Sequence, residues 1–481
     1  MDFSVIVLAA GKGKRMKSEL PKVLHPILGR PMLNYVLDAV MQISPERIIV
    51  VVGYGADKIK ETLSSIKVKY ALQSKQLGTG HAVRCAKGAF RDYNGKILIV
   101  NGDFPLIRSE TLKGFVENHK KTNTGISLLT AFLDSPEGYG RVVRNGKGDV
   151  IRIVEEKDAT PKEKMIKEIN SGAYCVESSF LWDVIGKIGS KNEQKEYYLP
   201  DIVNIATQSG KKISGFIVPD GEEVLGVNNR EELARVEERL RKRTNEKLML
   251  SGVTIVNPEV TYISPRVSIG ADTVIYPNTF IYGNTKVGKD CKIGSSVWIE
   301  DSEIGDDVTI AFSSYIIKAL IEDKSKIGPF AHLRPESQIL SGAKIGNFVE
   351  IKKSKIGRGS KVPHLSYVGD ASIGEGVNIG AGTITCNYDG FHKHETIIED
   401  NVFIGSDTML VAPIKVGKGA TTGAGSTITK DVPPGALAIE RSKQQVITGW
   451  KRKTKGKKGK RIDVWNCRIH RQRRKNSKCI G

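Results

Sequence analysis

What this sequence lacks narrows its class before any motif is read. No stretch approaches the ~20 consecutive apolar residues that a membrane-spanning helix requires. The apolar run from Val5 to Ala10 is too short for a secretory signal, and its basic residues follow it instead of preceding it. The six cysteines (Cys85, Cys175, Cys291, Cys386, Cys467 and Cys479) are scattered, with no CxxC pair and no framework spacing. That pattern argues against a disulfide scaffold and a zinc site, and for a reducing compartment. The expectation is a soluble cytoplasmic protein of two or three domains.

Acidic residues are also in short supply, giving 74 Lys and Arg against 53 Asp and Glu and a net charge of +21. Position decides what this means. Residues 451–481 hold fourteen Lys or Arg and one Asp, about +13 of the excess, so the preceding body carries only about +8. Residues 442–481 form a basic tail that reads as disordered beyond about 450. Two roles stand open for it: a solvated, solubilising extension, or contact with polyanions.

What the chain does contain is a repeat. Between about Val253 and Ile428 an aliphatic residue followed by glycine keeps returning, as in Ile269-Gly270, Val287-Gly288, Ile293-Gly294, Ile327-Gly328, Ile345-Gly346 and Ile379-Gly380. The glycines are separated by 6, 12 or 18 residues within runs, and two steps (294 to 305, 346 to 357) are 11. Neither a helix of period 3.6 nor a strand of period 2 yields a six-residue repeat. A triangular parallel β-helix does, with one hexad per face, three per coil, and the aliphatic residue pointing inward. Glycine is expected where a side chain would crowd the corner. A flexible Gly-rich linker would lack the regular Ile and Val.

Residues 1–227 read differently. Apolar segments (Ser4–Ala10, Arg47–Gly53, Val68–Gln73, Lys96–Asp103) alternate with helical patterns such as Met32–Ile43. This predicts an α/β domain, Rossmann-like, with a mostly parallel sheet covered on both faces and a ligand site beyond the carboxyl ends of the strands. The first strand runs into Leu8-Ala9-Ala10-Gly11-Lys12-Gly13-Lys14-Arg15-Met16. Glycines there let consecutive N–H groups face one anion, and Lys12, Lys14 and Arg15 add charge. It is not a Walker loop, which ends in GKS/T, and Met16 sits where a dinucleotide fingerprint has its third glycine. A strand-ending Asn101-Gly102-Asp103 follows, and later Gly226-Val227-Asn228-Asn229. Residues 228–251 read as a linking helix with Asn229 as its N-cap.

Taken with Pro21-Lys22-Val23-Leu24, the first loop resembles the GxGxRM…PKxL signature of the sugar-phosphate nucleotidyltransferases. The resemblance implies that Leu8, Ala9, Ala10, Gly11, Gly13, Arg15 and Lys22 cradle a nucleoside triphosphate. Gln73, Gln76, Gly78 and Thr79 would read a uracil edge, with Asn101 and Gly102 nearby. Asp103 and Asn228 would hold Mg²⁺ as hard oxygen ligands. Gly140, Glu155 and Asn170 would hold the hexosamine. In-line attack of a sugar phosphate on the α-phosphorus needs positioning and charge neutralisation, not a covalent nucleophile.

In the repeats, 252–441, the chemistry-bearing residues cluster where the hexads are interrupted. Lys361 to Asp370 carries His364 in a polar setting, and Thr385 to His394 breaks the pattern. His392 and His394 have no acidic or cysteine partner with metal-ligand spacing. Acetyl transfer to an amino sugar needs a base for the ammonium proton, which imidazole can supply. Through about residue 450 the ensemble, including HLSYVGD, TCNYDG and Ala438-Ile439-Glu440-Arg441, resembles the bacterial bifunctional N-acetylglucosamine-1-phosphate uridyltransferase/glucosamine-1-phosphate acetyltransferases. By that resemblance His364 is the general base, and Arg334, Lys352, Tyr367 and Asn378 hold glucosamine-1-phosphate. Ala381, Asn387, Tyr388, Ser406, Ala424 and Arg441 line the acetyl-CoA site, with Arg441 suited to a phosphate. The resemblance further implies a left-handed β-helix that associates as a homotrimer. Pro363 stands where some members carry asparagine. The competing expectations are a nucleotidyltransferase whose β-helix is only structural or regulatory, and a polyanion-binding protein driven by its tail.

Overall fold

The computed structural model describes residues 3–450. The expectations placed on residues 451–481, including disorder of the tail, lie outside the described residues.

The head is built on β1 (Phe3–Ala9), β2 (Ile48–Val52), β3 (Lys69–Leu72), β4 (Lys96–Asn101), β5 (Ile126–Phe132), β6 (Gly140–Arg144), β7 (Val150–Val154), β8 (Glu168–Glu177) and β9 (Ile213–Ile217). Its main helices are α1 (Met32–Gln42), α2 (Thr79–Cys85) and α3 (Ser109–Thr122). The sheet order is β9-β5-β8-β4-β1-β2-β3, with β6 and β7 extending from β8. Alternation along β1 explains the two covered faces. Phe3, Val5 and Val7 pack with α1 and α3, whereas Ile6 packs with Ala82 and Val83 of α2.

The sheet is mixed, where a mostly parallel one was expected. Strands β4, β1, β2 and β3 are parallel, but β8 runs antiparallel to β4, β5 and β6. Apolar pattern reports burial and not strand direction. Here β8 follows the β6–β7 hairpin and not a crossover helix, so it enters the sheet reversed. Its register shifts between Asn170 and Tyr174, a bulge that lies in the cleft described below.

The helix α4 (Arg230–Leu250) joins the halves. Asn229 caps it, its side chain accepting from the N–H of Glu232 at 2.9 Å. Val236 and Leu240 belong to the head's core, and Leu248 belongs to the core of the repeats, so one helix serves both.

The repeats form three all-parallel sheets of eleven, ten and nine short strands. Ile275, Ile293, Ile310, Ile327, Ile345 and Val362 register one above another, each fully or nearly fully buried. This is the hexapeptide β-helix expected from the period, of the left-handed class that the resemblance implied. The reason for its glycines is sharper than a tight corner. Among the named pairs only Gly328 has a left-handed φ, of 86°. The left-handed corner falls two residues later, at positions such as Asp272, Asp290 and Ser296. The glycines are needed because a Cβ would strike the next coil's backbone, as at Gly270, where it would lie 2.6 Å from the nitrogen of Lys289.

One coil is longer. Ile373 pairs with Ile398, an offset of 25 in place of the usual 17 or 18, and the extra chain is the loop Thr385–His394. A second unit begins at Glu440, and its described part, 440–450, contains no helix or strand.

Candidate active sites

The head cleft, about 210 Å³, lies at the carboxyl ends of β1 and β4 and against the β8 bulge. Leu8, Arg15, Thr79, Asn101, Asp103, Gly140, Glu155, Asn170 and Asn228 line it, all residues singled out by motif. The loop after β1 carries Ala10, Gly11 and Gly13 and leads to Lys22. Gly13 is left-handed at φ 64°, and a Cβ there would sit 2.6 Å from Cβ of Lys22, so glycine lets the loop close on that lysine. Gly102 donates its N–H to Leu8 at 2.9 Å, tying β4's end to β1's. Gln73 is 3% exposed, and its Nε2 donates to the carbonyl of Gly78 at 3.0 Å. Gln76 in turn donates to the carbonyl of Gln73 at 3.1 Å. The carboxamides thus shape the 73–79 loop from within. Ala9 and Ala10 are buried in the strand and its exit, and Gly11 is exposed.

Lys22 bridges the two residues suggested as metal ligands. Its ammonium ion-pairs with Asp103 and also donates to Oδ1 of Asn228 at 3.2 Å. Two oxygens from distant segments therefore converge on one cationic group. Among the described residues no cluster of three or more His, Cys, Asp or Glu could cage a metal. A carboxylate plus an amide oxygen, with the remaining positions left to phosphate and water, is the donor set that suits Mg²⁺.

Tyr174 of this cleft escaped the motifs, and Tyr139 stood in the hexosamine segment beside Gly140 without a role of its own. Tyr139 accepts the N–H of Gly226 at 3.2 Å, linking the hexosamine segment to the strand before Asn228. Tyr174, fully buried, accepts from Nδ2 of Asn170 at 2.8 Å. Only the β8 bulge brings that pair together, and an apolar run in sequence does not reveal a bulge.

Glu155 is half-buried beside Gly140, and burial, reinforced by Asp158 and Asp201, pushes its carboxyl up to about 7 from an ordinary 4.5. Folding raises this pKa, so the stability the protonated form contributes is full below about pH 4.5 and is lost as pH rises through 7. Glu155→Gln should remove that dependence. Its melting temperature should exceed wild type's more at pH 8 than at pH 5, and an equal difference at both would refute the assignment.

On the β-helix, His364 ends the strand Lys361–His364 and registers with Asn347 one coil below. Its Nδ1 lies 2.6 Å from Oδ1 of Asn347. With Nδ1 protonated toward that acceptor, Nε2 is left as the basic nitrogen. Pro363 occupies the place that glycine fills in the coils on either side, Gly346 and Gly380. Each such glycine donates to the coil above, as Gly380 does to Ile404 at 2.8 Å, and proline cannot. The ladder thus loses one hydrogen bond next to His364.

Around the corner, Arg334 and Lys352 stack on the adjacent face with Tyr367. Arg334 pairs with Glu350 at 2.9 Å and Lys352 with Asp370 at 3.3 Å. Asn387, 7% exposed, donates to the same Asp370. Lys393 is brought against Lys352, whose charge holds it below the ordinary lysine range. Asn378 sits on the His364 face, registered with Lys361. Ala381, Ser406 and Ala424 recur at one corner on successive coils. Tyr388 lies in the loop, 61% exposed, with its hydroxyl donating to Gly390 at 2.6 Å. His394 has Asp389 as a hydrogen-bond partner, the carboxylate reaching its Nε2 at 2.7 Å across the loop's turn, and among the described residues no cluster of three or more His, Cys, Asp or Glu forms there. Asp389 also accepts the N–H groups of Phe391 and His392 at 2.7 and 2.6 Å, which holds its carboxyl below the usual range and makes it the brace of the loop. Arg441 falls in the second unit.

Asn347 and Glu350 were not picked out by motif, whereas Asp370 and Lys393 lay within singled-out stretches without an assigned role. The signal for Asn347 was present, since it precedes His364 by one coil of 17 residues.

A nucleotide-type α/β head carrying a phosphate loop, followed by a hexapeptide β-helix with its own histidine centre, defines a transferase with two separate sites. The head matches the nucleotidyl transferase family over residues 4–221, and residues 266–301 and 395–430 match the bacterial transferase hexapeptide (six repeats) family. "Bifunctional protein GlmU" of Carboxydothermus hydrogenoformans is 52% identical over 439 residues, covering 91% of this chain and 98% of the relative. Proteins of the same name from Pelobacter propionicus and an Exiguobacterium species are each 48% identical, covering 95% and 94% of this chain and 99% of each relative. The chain belongs to the GlmU family. It is a bifunctional enzyme, a uridyltransferase and a glucosamine-1-phosphate acetyltransferase in one polypeptide.

Proposed function

We propose that the β-helix centre acetylates glucosamine-1-phosphate from acetyl-CoA, and that the head centre then couples the product with UTP, releasing pyrophosphate and UDP-N-acetylglucosamine. The observation that carries the acetyl half is the Asn347–His364 contact. It orients an imidazole whose Nε2 takes the proton from the substrate ammonium, so the freed amine attacks the thioester carbonyl, the C–S bond breaks, and coenzyme A leaves as its thiol with the proton the new amide gives up. Arg334, Lys352 and Lys393 supply cations for the sugar phosphate, with Tyr367 and Asn378 on the sugar. Ala381, Ser406 and Ala424 form a small-residue corner along which the pantetheine arm lies, with Asn387 and Tyr388 beside it.

In the head, Arg15 and Lys22 neutralise triphosphate charge, the 73–79 loop receives the uracil, and Gly140, Glu155 and Asn170 receive the hexosamine. Asp103 and Asn228 hold Mg²⁺, which when bound stabilises charge on the departing pyrophosphate. A coupled assay with glucosamine-1-phosphate, acetyl-CoA, UTP and Mg²⁺, each omitted in turn, tests the scheme. Nucleotide-sugar formation without acetyl-CoA but with supplied N-acetylglucosamine-1-phosphate is expected. Failure to acetylate glucosamine-1-phosphate would leave the β-helix a structural element.

The chain works as a homotrimer in the cytoplasm. Supporting association is a ladder of half-exposed apolar residues at one corner of successive coils, Phe312, Phe330, Phe348 and Leu365, with ring centroids 5.2 Å apart along the phenylalanines. Light scattering should give three times the chain mass. No helix among the described residues is long and apolar enough to cross a membrane. The basic tail is a solubilising appendage: deleting 451–481 should change neither activity by more than about twofold, surface changes away from a site being near neutral. Loss of both activities would give the tail a working role.

A further inference from the structure

A second cavity, about 750 Å³, opens where α1, the segment after β4, α4 and the first coils of the β-helix meet. None of the residues assigned to either reaction lines it. Five cationic side chains face it (Arg30, Arg108, Arg243, Lys247 and Arg266) against two carboxylates, Asp38 and Glu110. Those carboxylates do not balance the charge. Asp38 is shared, taking Arg30 Nη1 at 2.8 Å and Arg266 Nη2 at 3.2 Å. Arg108 is engaged by Asp220 at 2.9 Å. Arg243 and Lys247 lie four residues apart on one face of α4. Arg243 donates to the carbonyl of Leu106 at 2.9 Å, and neither it nor Lys247 has an ion-pair partner among the described residues.

The most pointed observation is Arg30. It is 8% exposed, and its Nη2 is buried without a hydrogen-bond partner. A buried guanidinium N–H lacking an acceptor is costly; the group also stacks over the Tyr35 ring at 5.0 Å, so Arg30 lends charge to the wall without opening this N–H to the cavity. Burial and the neighbouring Arg108 push Arg243 below the ordinary arginine range, although Glu223, Asp220 and Glu222 act in the opposite direction from the Arg108 side. The remaining wall is apolar, with Leu240, Leu248 and Val267, and the volume is that of a pocket for a small organic ligand.

We propose that this cavity is a binding site for a small phosphorylated anion, whose phosphate oxygens accept from Arg243 and Lys247, with Arg30 adding positive charge from the wall, and whose remainder rests on the apolar residues. Guanidinium groups favour this chemistry through charge-assisted hydrogen bonds to phosphate oxygens. The site has a route to the head cleft. Pro105, in its wall, is two residues from Asp103, and α4 is capped next to Asn228. Ligand drawing these walls together bears on the Asp103–Asn228 pair and leaves the β-helix centre untouched.

Calorimetric titration of the full chain with inorganic phosphate, pyrophosphate and ADP tests this, the three probes showing how many phosphates and how much organic body the cavity takes. Arg243→Ala and Lys247→Ala should each weaken binding about tenfold or more. Lys247 is exposed, so its variant answers even if Arg243→Ala fails to fold. Arg15→Ala, in the head cleft, should leave the cavity's binding intact. Binding lost in Arg15→Ala but kept in both cavity variants would place the anion in the head cleft and overturn the proposal, as would absence of binding of all three probes. Because no turnover is measured, failure here is distinct from failure of the reaction scheme.

Discussion

His364→Ala should lower acetyl transfer by about 10²–10⁴-fold, the usual worth of a positioned general base, while uridylyl transfer stays within a factor of about two. The separation is physical. His364 stands on the β-helix, whose core is distinct from the head's, and its side chain is exposed with Asn347 as its hydrogen-bond partner. Truncation therefore removes a proton acceptor without opening a cavity in either core. Asn347→Ala should produce a milder loss of acetyl transfer, in kcat more than KM, because the imidazole remains but its orientation is no longer set. Both reactions are read in one preparation, by thiol release from acetyl-CoA and by pyrophosphate release from UTP. Undiminished thiol release from His364→Ala would dismiss it as the base.

Asp103→Ala should do the reverse, reducing uridylyl transfer at least about a hundredfold with acetyl transfer unchanged. The carboxylate carries the only formal negative charge of the Asp103–Asn228 pair, and its loss also leaves Lys22, 17% exposed, without its counter-ion. Asp103→Asn separates these effects. It keeps the shape and an oxygen but loses the charge, so raising Mg²⁺ should recover part of its activity and none of that of Asp103→Ala. Pyrophosphate release at graded Mg²⁺ concentrations gives the answer. Uridylyl transfer that survives Asp103→Ala at ordinary Mg²⁺ would remove it from the ligand set.

The β-helix was legible because its code is local and repeated: the inward position recurs about every sixth residue and is mostly Ile or Val, and the glycine that often follows lets the coils approach. The phosphate loop was legible for a similar reason, since Gly11, Gly13, Arg15 and Lys22 lie within one short stretch. Strand direction was not. The antiparallel entry of β8 and its bulge at Asn170–Tyr174 depend on how β8 leaves the β6–β7 hairpin, and the same apolar residues would suit either direction.

The sequence by itself determined the two-part architecture, the repeat period and the absence of any long apolar span, and it singled out His364 and Asp103 as candidates. Tertiary structure alone decided which residues meet. Asp103 and Asn228 converge on Lys22 because β4 and the start of α4 end at the same cleft. Asn347 reaches His364 because the coil offset there is 17, and Asp370 joins Lys352 to Asn387 because the longer coil folds its loop back. The cationic cavity at the α4 junction is of the same kind, its walls coming from four separated segments. Burial and turn preference are written residue by residue. Convergence of charges depends on offsets between elements, which are fixed only when the whole chain packs.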